Sequence, residues 1–304
     1  MNSKALVTGP TGFVGSNLVR GLLRNGWQID VIVRPSSSLT LLSDIKNKIR
    51  VYRFNGKMSN LLEIVTDSKP DVVFHIASLF LSEHKPGQIE PLIQSNILFG
   101  TQLLEAMSNS SIHSLVNTGT SWEHFENSEY SPVNLYAASK KAFTDILQYY
   151  VEARKIRAIT LKLFDTYGPM DPRPKLFHLL EKAANSQEEL NMSPGEQFID
   201  LVYIEDVVNA YQIAAKRLMT RKVIQHEIYS VSSGEPIRLR DLVVIYENLT
   251  RNRLPIYWGG RGYREREMMA PWSHHHTLPE WSPKTSISEG ILKIIQERKQ
   301  IIDT

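Results

Sequence analysis

Three glycines near the N-terminus limit the fold more than any other feature of this sequence. Gly9, Gly12 and Gly15 follow a short apolar run at residues 5–7 and precede an amphipathic helical stripe. Strand, glycine turn and helix in this order are typical of a dinucleotide-binding unit: the first glycine permits a tight turn, the second lets the backbone approach a pyrophosphate, and the third lets the helix pack closely. The expected contacts at this turn are Gly9, Thr11, Gly12, Phe13, Val14 and Gly15.

Apolar runs and helical stripes alternate from this turn onward. The further predicted strands are residues 29–33, 51–54, 72–76, 115–121 and 158–164, and the predicted helices include residues 92–107 and 136–151. Because strand and helix alternate, the strands should be parallel and joined by right-handed crossovers. The expected fold class is therefore α/β, with a Rossmann-type doubly wound parallel sheet.

The composition argues against several classes of protein. The net charge of +3 over 304 residues is too small to indicate a nucleic-acid partner. Cysteine is absent, which excludes disulfides and thiolate chemistry. Every apolar run is shorter than the ~18 residues of a membrane span, and the N-terminus lacks the pattern of a signal peptide. We therefore expect a cytoplasmic protein without a membrane partner.

The end of the second predicted strand bears on the choice of cofactor. Folds that prefer NAD usually place a carboxylate here to accept from the ribose hydroxyls. This sequence instead has Arg34, followed by Ser36 and Ser37, while Asp30 lies mid-strand. A guanidinium backed by hydroxyls suits a 2′-phosphate, so the sequence predicts NADP(H), with NAD(H) as the alternative.

Three further residues are candidates for cofactor contacts. Asn55 follows the third strand and could contact an adenine, and Ala77 follows the fourth strand. Asn96 interrupts the apolar stripe of helix 92–107. A polar residue in such a stripe also fits a structural hydrogen bond.

The segment from Tyr136 to Lys140 predicts proton-transfer chemistry. The two side chains lie one helical turn apart and therefore share a face. A phenol has a pKa near ~10, and a nearby ammonium should lower that pKa by stabilising the phenolate. The resulting pair could exchange a proton with a carbonyl or alcohol. The hydroxyl-rich strand end at residues 118–121 should lie at the same sheet edge.

Taken together, these motifs resemble the extended short-chain dehydrogenase/reductase family, which includes nucleotide-sugar epimerases, dehydratases and reductases. The resemblance spans nearly the whole chain and includes the glycine turn, the hydroxyl strand end and the segment from Tyr136 to Lys140. The other matching motifs are Tyr167-Gly168-Pro169, Asn96 with Gly100-Thr101, Tyr203-Ile204-Glu205-Asp206-Val207, Ser233-Gly234-Glu235-Pro236 and Trp281-Ser282-Pro283-Lys284-Thr285-Ser286.

The resemblance implies a catalytic role for three residues. Tyr136 would be the general acid/base, and Lys140 would hold the nicotinamide ribose while lowering the pKa of Tyr136. Thr120 would orient the substrate carbonyl, with Thr118 and Ser121 as alternatives because the register of this strand end is ambiguous. The substrate contacts would be Ser121, Trp122, Asp165, Lys175, Arg264 and Arg266.

The resemblance also implies a domain arrangement. Residues 1–165, with 199–231 returning to them, would bind the dinucleotide, and residues 166–198 and 232–304 would form a smaller C-terminal lobe for a nucleotide sugar. The apolar faces of residues 92–107 and 143–151 could pair across a two-fold axis as a homodimer, or could be buried within one chain. Two positions depart from the family: Asp165 and Ile199 stand where Asn and Arg are frequent, and both commonly serve the substrate's nucleotide.

The reaction is suggested by two stretches, residues 117–124 and 162–169, which are similar to CDP-abequose and CDP-paratose synthases. Those enzymes reduce the 4-keto group of a CDP-linked dideoxyhexose with NADPH. Dehydratases of the family have an acidic pair directly after the catalytic Thr, whereas Ser121 and Trp122 follow Thr120 here. The alternatives are an NAD-dependent 4-epimerase and a non-catalytic NADP(H)-binding sensor.

The run His274-His275-His276 does not predict a metal site. Three adjacent histidines in regular structure do not converge on one ion, and their neighbours do not complete a ligand set. We expect a solvated loop at this position and no metal in the reaction.

Overall fold

The computed structural model describes residues 3–302 and the side chains of residues 3–297. The outermost positions of the predicted ranges 1–165 and 232–304 thus lie outside the described residues. The strands are β1 Lys4–Thr8, β2 Gln28–Val33, β3 Ile49–Arg53, β4 Val72–His75, β5 Ser114–Thr120, β6 Arg157–Leu163, β7 Asp165–Tyr167, β8 Leu190–Met192, β9 Phe198–Ile199, β10 Leu201–Tyr203, β11 His226–Val231, β12 Ile237–Arg238 and β13 Ile256–Trp258. The α-helices are α1 Phe13–Arg24, α2 Met58–Ser68, α3 Ile89–Ile93, α4 Phe99–Asn109, α5 Leu135–Arg154, α6 Leu176–Ser186, α7 Ile204–Met219, α8 Leu239–Thr250 and α9 Ile287–Ile302.

A seven-stranded sheet organises the molecule, in the order β11-β6-β5-β4-β1-β2-β3. Every neighbouring pair in it is parallel. Parallel neighbours need a crossover between them, usually through a helix, which is why strand and helix alternate in the sequence. The predicted Rossmann-type α/β fold is confirmed.

The sheet separates two apolar clusters. On one face α2, α4 and α5 pack against the central strands through residues such as Leu61, Leu104 and Phe143, all fully buried. On the other face α1 and α7 cover the sheet, and the same cluster continues into α8 and α9. The C-terminal elements therefore share a core with the sheet.

The predicted helix 92–107 differs from the structure in one respect. Helices α3 and α4 are joined by a π-helical segment at Gln94–Leu98, and Asn96 lies within it. The Asn96 side chain accepts from the Leu79 N–H at 2.7 Å and donates to the Leu79 carbonyl at 3.0 Å. An inserted π turn of this kind re-aims a side chain without ending the helix, and hydrophobic periodicity does not reveal it.

The apolar faces considered for a homodimer are buried in part. Leu103 and Met107 on α4, and Phe143 and Leu147 on α5, are buried in the same cluster beneath the sheet. Ile93 and Leu98, which belong to the predicted helix 92–107, are exposed. The homodimer therefore stays a prediction.

Short strands beyond the main sheet build the C-terminal part. Strand β7 pairs with β10, β9 with β12, and β8 with β13. Strand β11, by contrast, returns to the main sheet beside β6. Within residues 3–302, none of the helices has the length and apolarity needed to cross a membrane.

Helix α5 carries Tyr136 and begins at a side-chain cap. Asn134 is the N-cap residue, and its Oδ1 accepts from the Ala137 N–H at 2.9 Å. Its Nδ2 donates to the carbonyls of Leu81 and Ser82 at 3.2 and 3.0 Å. One side chain therefore satisfies an amide of the first helical turn and ties that turn to the segment after β4.

We expect Asn134→Ala to lower the free energy of unfolding by about 1–2 kcal/mol, because it removes both the cap and the two donated bonds. Asn134→Ser keeps a side-chain oxygen that can cap the helix and loses the two bonds donated by the amide, so its loss should be smaller. Urea unfolding followed by circular dichroism measures both values. Equal losses in the two variants would show that the cap contributes nothing.

Candidate active site

A cavity of about 990 Å³ runs along the edge of the sheet where the parallel strands end. It begins at the turn after β2, passes the glycine turn and the ends of β4 and β5, and finishes between Tyr136 and the segment after β6. The predicted site residues that line it are Gly9, Thr11, Gly12, Phe13, Val14, Gly15, Arg34, Ser36, Ser37, Asn55, Ala77, Thr118, Thr120, Trp122, Tyr136, Asp165 and Lys175.

The glycine turn depends on two close backbone contacts. Gly9 has a φ of +67°, and a Cβ there would lie 2.7 Å from the Ala77 backbone. A Cβ on Gly15 would lie 2.1 Å from the Gly9 carbonyl oxygen. The third glycine thus allows α1 to begin against the turn itself. Gly12 caps α1 without a side chain, so the positive end of the helix lies at the cavity, where an anion is stabilised.

Arg34 stands at the cavity end next to β2. Its side chain is exposed, and the turn is closed by the Ser37 N–H donating to the Arg34 carbonyl at 3.0 Å. Asp30 is buried within β2 and paired with Lys4 at 2.9 Å. That aspartate is therefore committed elsewhere, and a cation dominates this end of the cavity.

Arg53 is a residue of this turn that the sequence reasoning missed. It is the register partner of Val33 at the end of β3, and its Nη1 donates to the Pro35 carbonyl at 2.8 Å. The sequence does contain a signal for this position, because Arg53 is the last residue of β3, the strand that pairs with β2 just before Arg34.

Asn55 and Asn96 have different positions. Asn55 lines the cavity, and its Oδ1 accepts from the Lys57 N–H at 3.0 Å. Asn96 is buried behind the cavity wall, with its amide bonded to Leu79 and to the Ser139 hydroxyl at 3.0 Å. These bonds engage the Asn96 amide within the protein, and Asn96 is not part of the cavity lining.

Tyr136 and Lys140 lie on the inner face of α5, and both are buried. Burial lowers the pKa of Lys140 to about 8, while the Glu123 carboxylate acts in the opposite direction. Burial, followed by the charge of Glu123, raises the pKa of Tyr136 above its usual value, although a hydrogen bond with Ser78 and the charge of Arg173 oppose the change. Desolvation therefore has the largest effect on the pKa of Tyr136, and the effect of Lys140 on that pKa stays a prediction.

The three candidate hydroxyls at the end of β5 differ in their surroundings. The Thr118 hydroxyl donates to the His75 carbonyl at 2.9 Å and lies 2.6 Å from the Tyr211 hydroxyl, so it is already engaged. Ser121 is buried and is not part of the cavity lining. Thr120 lines the cavity, and its Oγ1 accepts from the Trp122 N–H at 3.3 Å, which leaves its proton for a ligand.

The far end of the cavity combines aromatic rings with charge. The Phe80 ring lies 5.0 Å from the Tyr136 ring and 5.5 Å from the Trp122 ring. Asp165 and Lys175 line this end and form an ion pair at 3.3 Å, and the Lys175 ammonium lies 5.3 Å from the centre of the Phe80 ring. Phe80 was not recognised from the sequence, because it follows β4 without a motif of its own.

Arg173 is a second cation of this end that the sequence reasoning missed. It lines the cavity, pairs with Asp171 at 2.6 Å and lies over the Phe13 ring at 4.6 Å. Its Nη2 also donates to the Thr166 carbonyl at 3.0 Å. Arg173 therefore joins the glycine turn to the segment after β7.

Two predicted substrate contacts lie outside the cavity. Arg266 donates to the Pro132 carbonyl at 3.1 Å and to the Ser131 hydroxyl at 2.6 Å, so its guanidinium is used within the protein. Arg264 is not part of the cavity lining and reaches only its rim, where it lies 5.9 Å from the centre of the Trp122 ring. Neither arginine enters the site, because the segment that carries them packs on residues 122–132 from outside.

Ile199, which stands at a position where the family often has an arginine, is apolar for a structural reason. It pairs with Ile237 in a small antiparallel ladder and packs against the main core. Recognition of a substrate's nucleotide at this position would require other side chains.

The three adjacent histidines do not form one group. His274 and His276 are exposed, as a solvated loop predicts, but His275 is half-buried, with its Nδ1 2.6 Å from the Ser230 hydroxyl. Burial lowers the pKa of His275, and its ring packs against Phe164. Over the part of the chain that the structure describes, His, Asp and Glu side chains form no cluster of three or more that could hold a metal ion.

Comparison with known proteins places this geometry in a family. Residues 5–231 match the NAD dependent epimerase/dehydratase family. The chain is 26% identical over 302 residues to CDP-abequose synthase of Salmonella muenchen, covering 98% of this chain and 99% of the relative. It is also 26% identical to CDP-abequose synthase of Yersinia pseudotuberculosis, covering 88% and 91% of the two chains.

Solved structures agree on the fold. UDP-glucuronic acid 4-epimerase from Bacillus cereus, in complex with UDP-glucuronic acid and NAD, superimposes with a TM-score of 0.85 at 24% identity, covering 98% of this chain and 99% of that one. The resemblance inferred from the sequence motifs is confirmed. With a matching segment that runs from β1 through the last strand of the main sheet, this chain belongs to the NAD dependent epimerase/dehydratase family.

Proposed function

We propose that the protein reduces the 4-keto group of a nucleotide-linked deoxyhexose, with CDP as the nucleotide and NADPH as the reductant. One observation carries the proposal: Thr120 and Tyr136 line the same cavity as the glycine turn and Arg34. A dinucleotide laid along the glycine turn would reach the two hydroxyls with its nicotinamide end. The relatives named CDP-abequose synthase, matched over nearly their whole length, support the same substrate class.

Tyr136 can supply the proton that a keto reduction needs. When bound, NADPH would supply a hydride to C4 of the sugar, while the keto oxygen takes a proton. The Tyr136 phenol lines the cavity, and an ordinary phenol is protonated at neutral pH, so it can donate that proton. The Thr120 hydroxyl would orient the keto oxygen beside the phenol.

The proposed preference for NADPH rests on Arg34. Its guanidinium is exposed beside Ser36 and Ser37 at the cavity end, whereas Asp30 is paired with Lys4. A 2′-phosphate carries more negative charge than a ribose hydroxyl, so it gains more from a charge-assisted bond to a guanidinium.

The sugar end of the cavity supports a deoxy substrate. Phe80, Trp122 and Tyr136 form an aromatic wall, and such a wall favours a methyl or methylene group over a hydroxyl that it would leave unpaired. Lys175 and Arg173, which line the same end of the cavity, could pair with a diphosphate. We further propose that residues 1–165 and 199–231 hold the dinucleotide and residues 166–198 and 232–304 the nucleotide sugar.

A dehydratase is disfavoured by the carboxylates of the site. Glu123 is fully buried, paired with Lys162 at 2.9 Å, and is not part of the cavity lining. Asp165 lines the cavity but is paired with Lys175. Neither carboxylate follows Thr120 directly, where the elimination of water would use an acidic pair.

A 4-epimerase is the second candidate, because solved structures of similar fold include UDP-glucuronic acid 4-epimerase bound to NAD. Turnover without net consumption of dinucleotide would select it. A non-catalytic sensor would bind NADPH without oxidising it. The deciding assay follows NADPH oxidation with a panel of CDP-, dTDP-, UDP- and GDP-linked 4-keto sugars.

We also propose that the protein is a homodimer. Ile89 and Ile93 on α3 and Tyr149 on α5 leave large parts of their side chains exposed, and these two helices are in contact with each other. The mass of the purified protein in solution decides between dimer and monomer.

Arg34→Ala should weaken NADPH binding by about ten- to a hundredfold, since one charge-assisted contact contributes ~1.5–3 kcal/mol. NADH, which lacks the 2′-phosphate, should be little affected. Titration of intrinsic fluorescence with each dinucleotide measures both affinities. The matched control is Arg24→Ala, which removes an exposed arginine from the far end of α1. An equal loss for NADPH and NADH would overturn the assignment of NADP.

Tyr136→Phe should reduce the single-turnover rate of NADPH oxidation at saturating substrate by about 10²–10⁴-fold, because the ring remains while the proton donor is lost. The loss should appear in kcat rather than in KM, with cofactor affinity preserved. Thr120→Val should fall between this variant and the parent.

The matched control is Tyr130→Phe, which removes the hydroxyl of an exposed tyrosine near the start of α5 and should leave the rate unchanged. A Tyr136→Phe rate within about threefold of the parent would show that another group supplies the proton.

A further inference from the structure

Among the residues that the structure describes, four charged side chains line the cavity, and one of the four is a carboxylate. Arg34 stands at the end next to β2, whereas Asp165, Arg173 and Lys175 line the opposite end. The cations have an evident use in a site proposed for a diphosphate, because they attract the phosphates. A carboxylate in the same wall repels the phosphates, so the presence of Asp165 requires its own explanation.

The backbone fixes Asp165 at the cavity wall. Asp165 is the first residue of β7, its register partner is Leu201 on β10, and its N–H donates to the Asp200 carbonyl at 3.1 Å. Its Oδ1 lies 3.3 Å from the Lys175 ammonium, and that ammonium lies 5.3 Å from the centre of the Phe80 ring. The carboxylate therefore stands next to the aromatic wall proposed for the sugar.

The ion pair of Asp165 and Lys175 is open to water and to a ligand. The two side chains are 36% and 33% exposed. Ion pairs with this exposure contribute little to the stability of a fold, because water screens the charges. Stability therefore gives little reason for a carboxylate at this position, and both charges can act on a molecule in the cavity.

Arg173, the other cation of this end, is already balanced by a carboxylate. Its Nε donates to Asp171 Oδ1 at 2.7 Å and its Nη2 to Asp171 Oδ2 at 2.6 Å. The same Nη2 donates to the Thr166 carbonyl at 3.0 Å. Each cation at this end thus has a carboxylate partner.

The C-terminal segment outside the cavity does not supply a further free cation. Arg264 lies 3.8 Å from a Glu267 carboxylate oxygen, and the Arg266 guanidinium bonds to groups of the protein. The Trp272 ring stacks on the His124 imidazole, with 3.7 Å between the ring centres and an interplanar angle of 12°. The described part of this segment therefore adds aromatic packing and paired charges beside the site.

We propose that Asp165 is a specificity-determining residue, which selects a nucleotide-linked sugar without charge over one that carries a carboxylate, a uronic acid. Lys175 offsets the charge of Asp165 when a diphosphate binds. A uronate adds another negative group, for which the described residues at this end offer no unpaired cation. This inference rests on the proposed function in one respect, that this end of the cavity holds the sugar.

The two partners of the ion pair should have opposite effects on this selection. The quantity to compare is the ratio of affinities for the neutral sugar and for the uronate on the same nucleotide. Asp165→Asn removes the repelling charge, so the ratio should fall by about five- to tenfold, the effect of one screened charge a few ångströms away. Lys175→Met leaves the carboxylate unbalanced, so the ratio should rise by a similar factor. The double variant should return close to the parent.

The experiment is isothermal titration calorimetry of the full-length protein with saturating NADPH at low ionic strength. The probes are UDP-glucose with UDP-glucuronic acid, and CDP-glucose with CDP-glucuronic acid. The members of each pair differ in the group at C6. Higher salt should reduce the shifts of the ratio, because it screens exposed charges.

The matched controls come from an ion pair outside the cavity lining. Lys222 and Glu280 lie 2.8 Å apart, and both side chains are 53% exposed. Glu280→Gln and Lys222→Met change the net charge of the protein as the two test variants do, so they should leave the ratio unchanged. Affinities are compared for variants with the circular dichroism of the parent.

Shifts of the ratio in the same direction in both single variants, or in neither, would overturn the proposal, because a pair with a purely structural role affects both ligands alike. A parent that binds the uronate as tightly as the neutral sugar would also overturn it. Each single variant has its own expected sign, so either one decides if the other fails to fold.

The same titrations separate this inference from the proposed reaction. A parent that binds neither pair of probes would refute the sugar site and both proposals with it. A protein that shows the expected ratios but oxidises no NADPH with any 4-keto sugar would refute the proposed reaction and leave the role of Asp165 standing.

Discussion

The parallel alignment of the main sheet is the constraint on which the rest of the molecule depends. It brings the carboxyl ends of all seven strands to one edge, so the glycine turn, Arg34, Ala77 and Thr120 meet along one cavity although the sequence separates them widely. The Thr8 hydroxyl strengthens this edge, since its Oγ1 lies 3.2 Å from the amide nitrogens of both Ile76 and Ala77. The bond holds β1 and β4 together where the strand order reverses, which is the place where ligands bind in such sheets.

Burial determines the electrostatics of the site more than proximity does. Tyr136 and Lys140 share a helical face, yet desolvation raises the pKa of the phenol and lowers that of the ammonium. Both changes disfavour the charged forms of the two groups. Glu123 is fully buried near the same strand end, and its ion pair with Lys162 at 2.9 Å offsets part of the cost of burying its carboxylate. The arrangement illustrates why a motif identifies the participants in proton transfer without giving their protonation states.

The sequence was sufficient for the features that depend on local pattern. Periodicity and the glycine turn predicted the parallel α/β fold, and β1 to β6 lie within one or two residues of their predicted positions. Strand β11 of the same sheet had no predicted bounds. The features that it did not reveal depend on contacts between distant segments. Arg266 cannot serve as a ligand because its guanidinium bonds to Ser131 and Pro132. The π-helical segment directs the Asn96 side chain toward Leu79. The register of β5 with β6 brings Lys162 to Glu123. Neither the spacing of the motifs nor the composition of the chain predicts these contacts.

The stacking of Trp272 on His124 has a consequence for how this protein can be recombined. The C-terminal segment is not a separable cover: Ser273 donates to the Asn127 side chain at 2.8 Å, and Arg266 bonds to Ser131 on the same surface. A chimera joined after β11 would therefore inherit a foreign surface opposite His124, even though the junction lies in a loop. Exchange of C-terminal segments between relatives would therefore have to include residues 121–132 together with the C-terminal third.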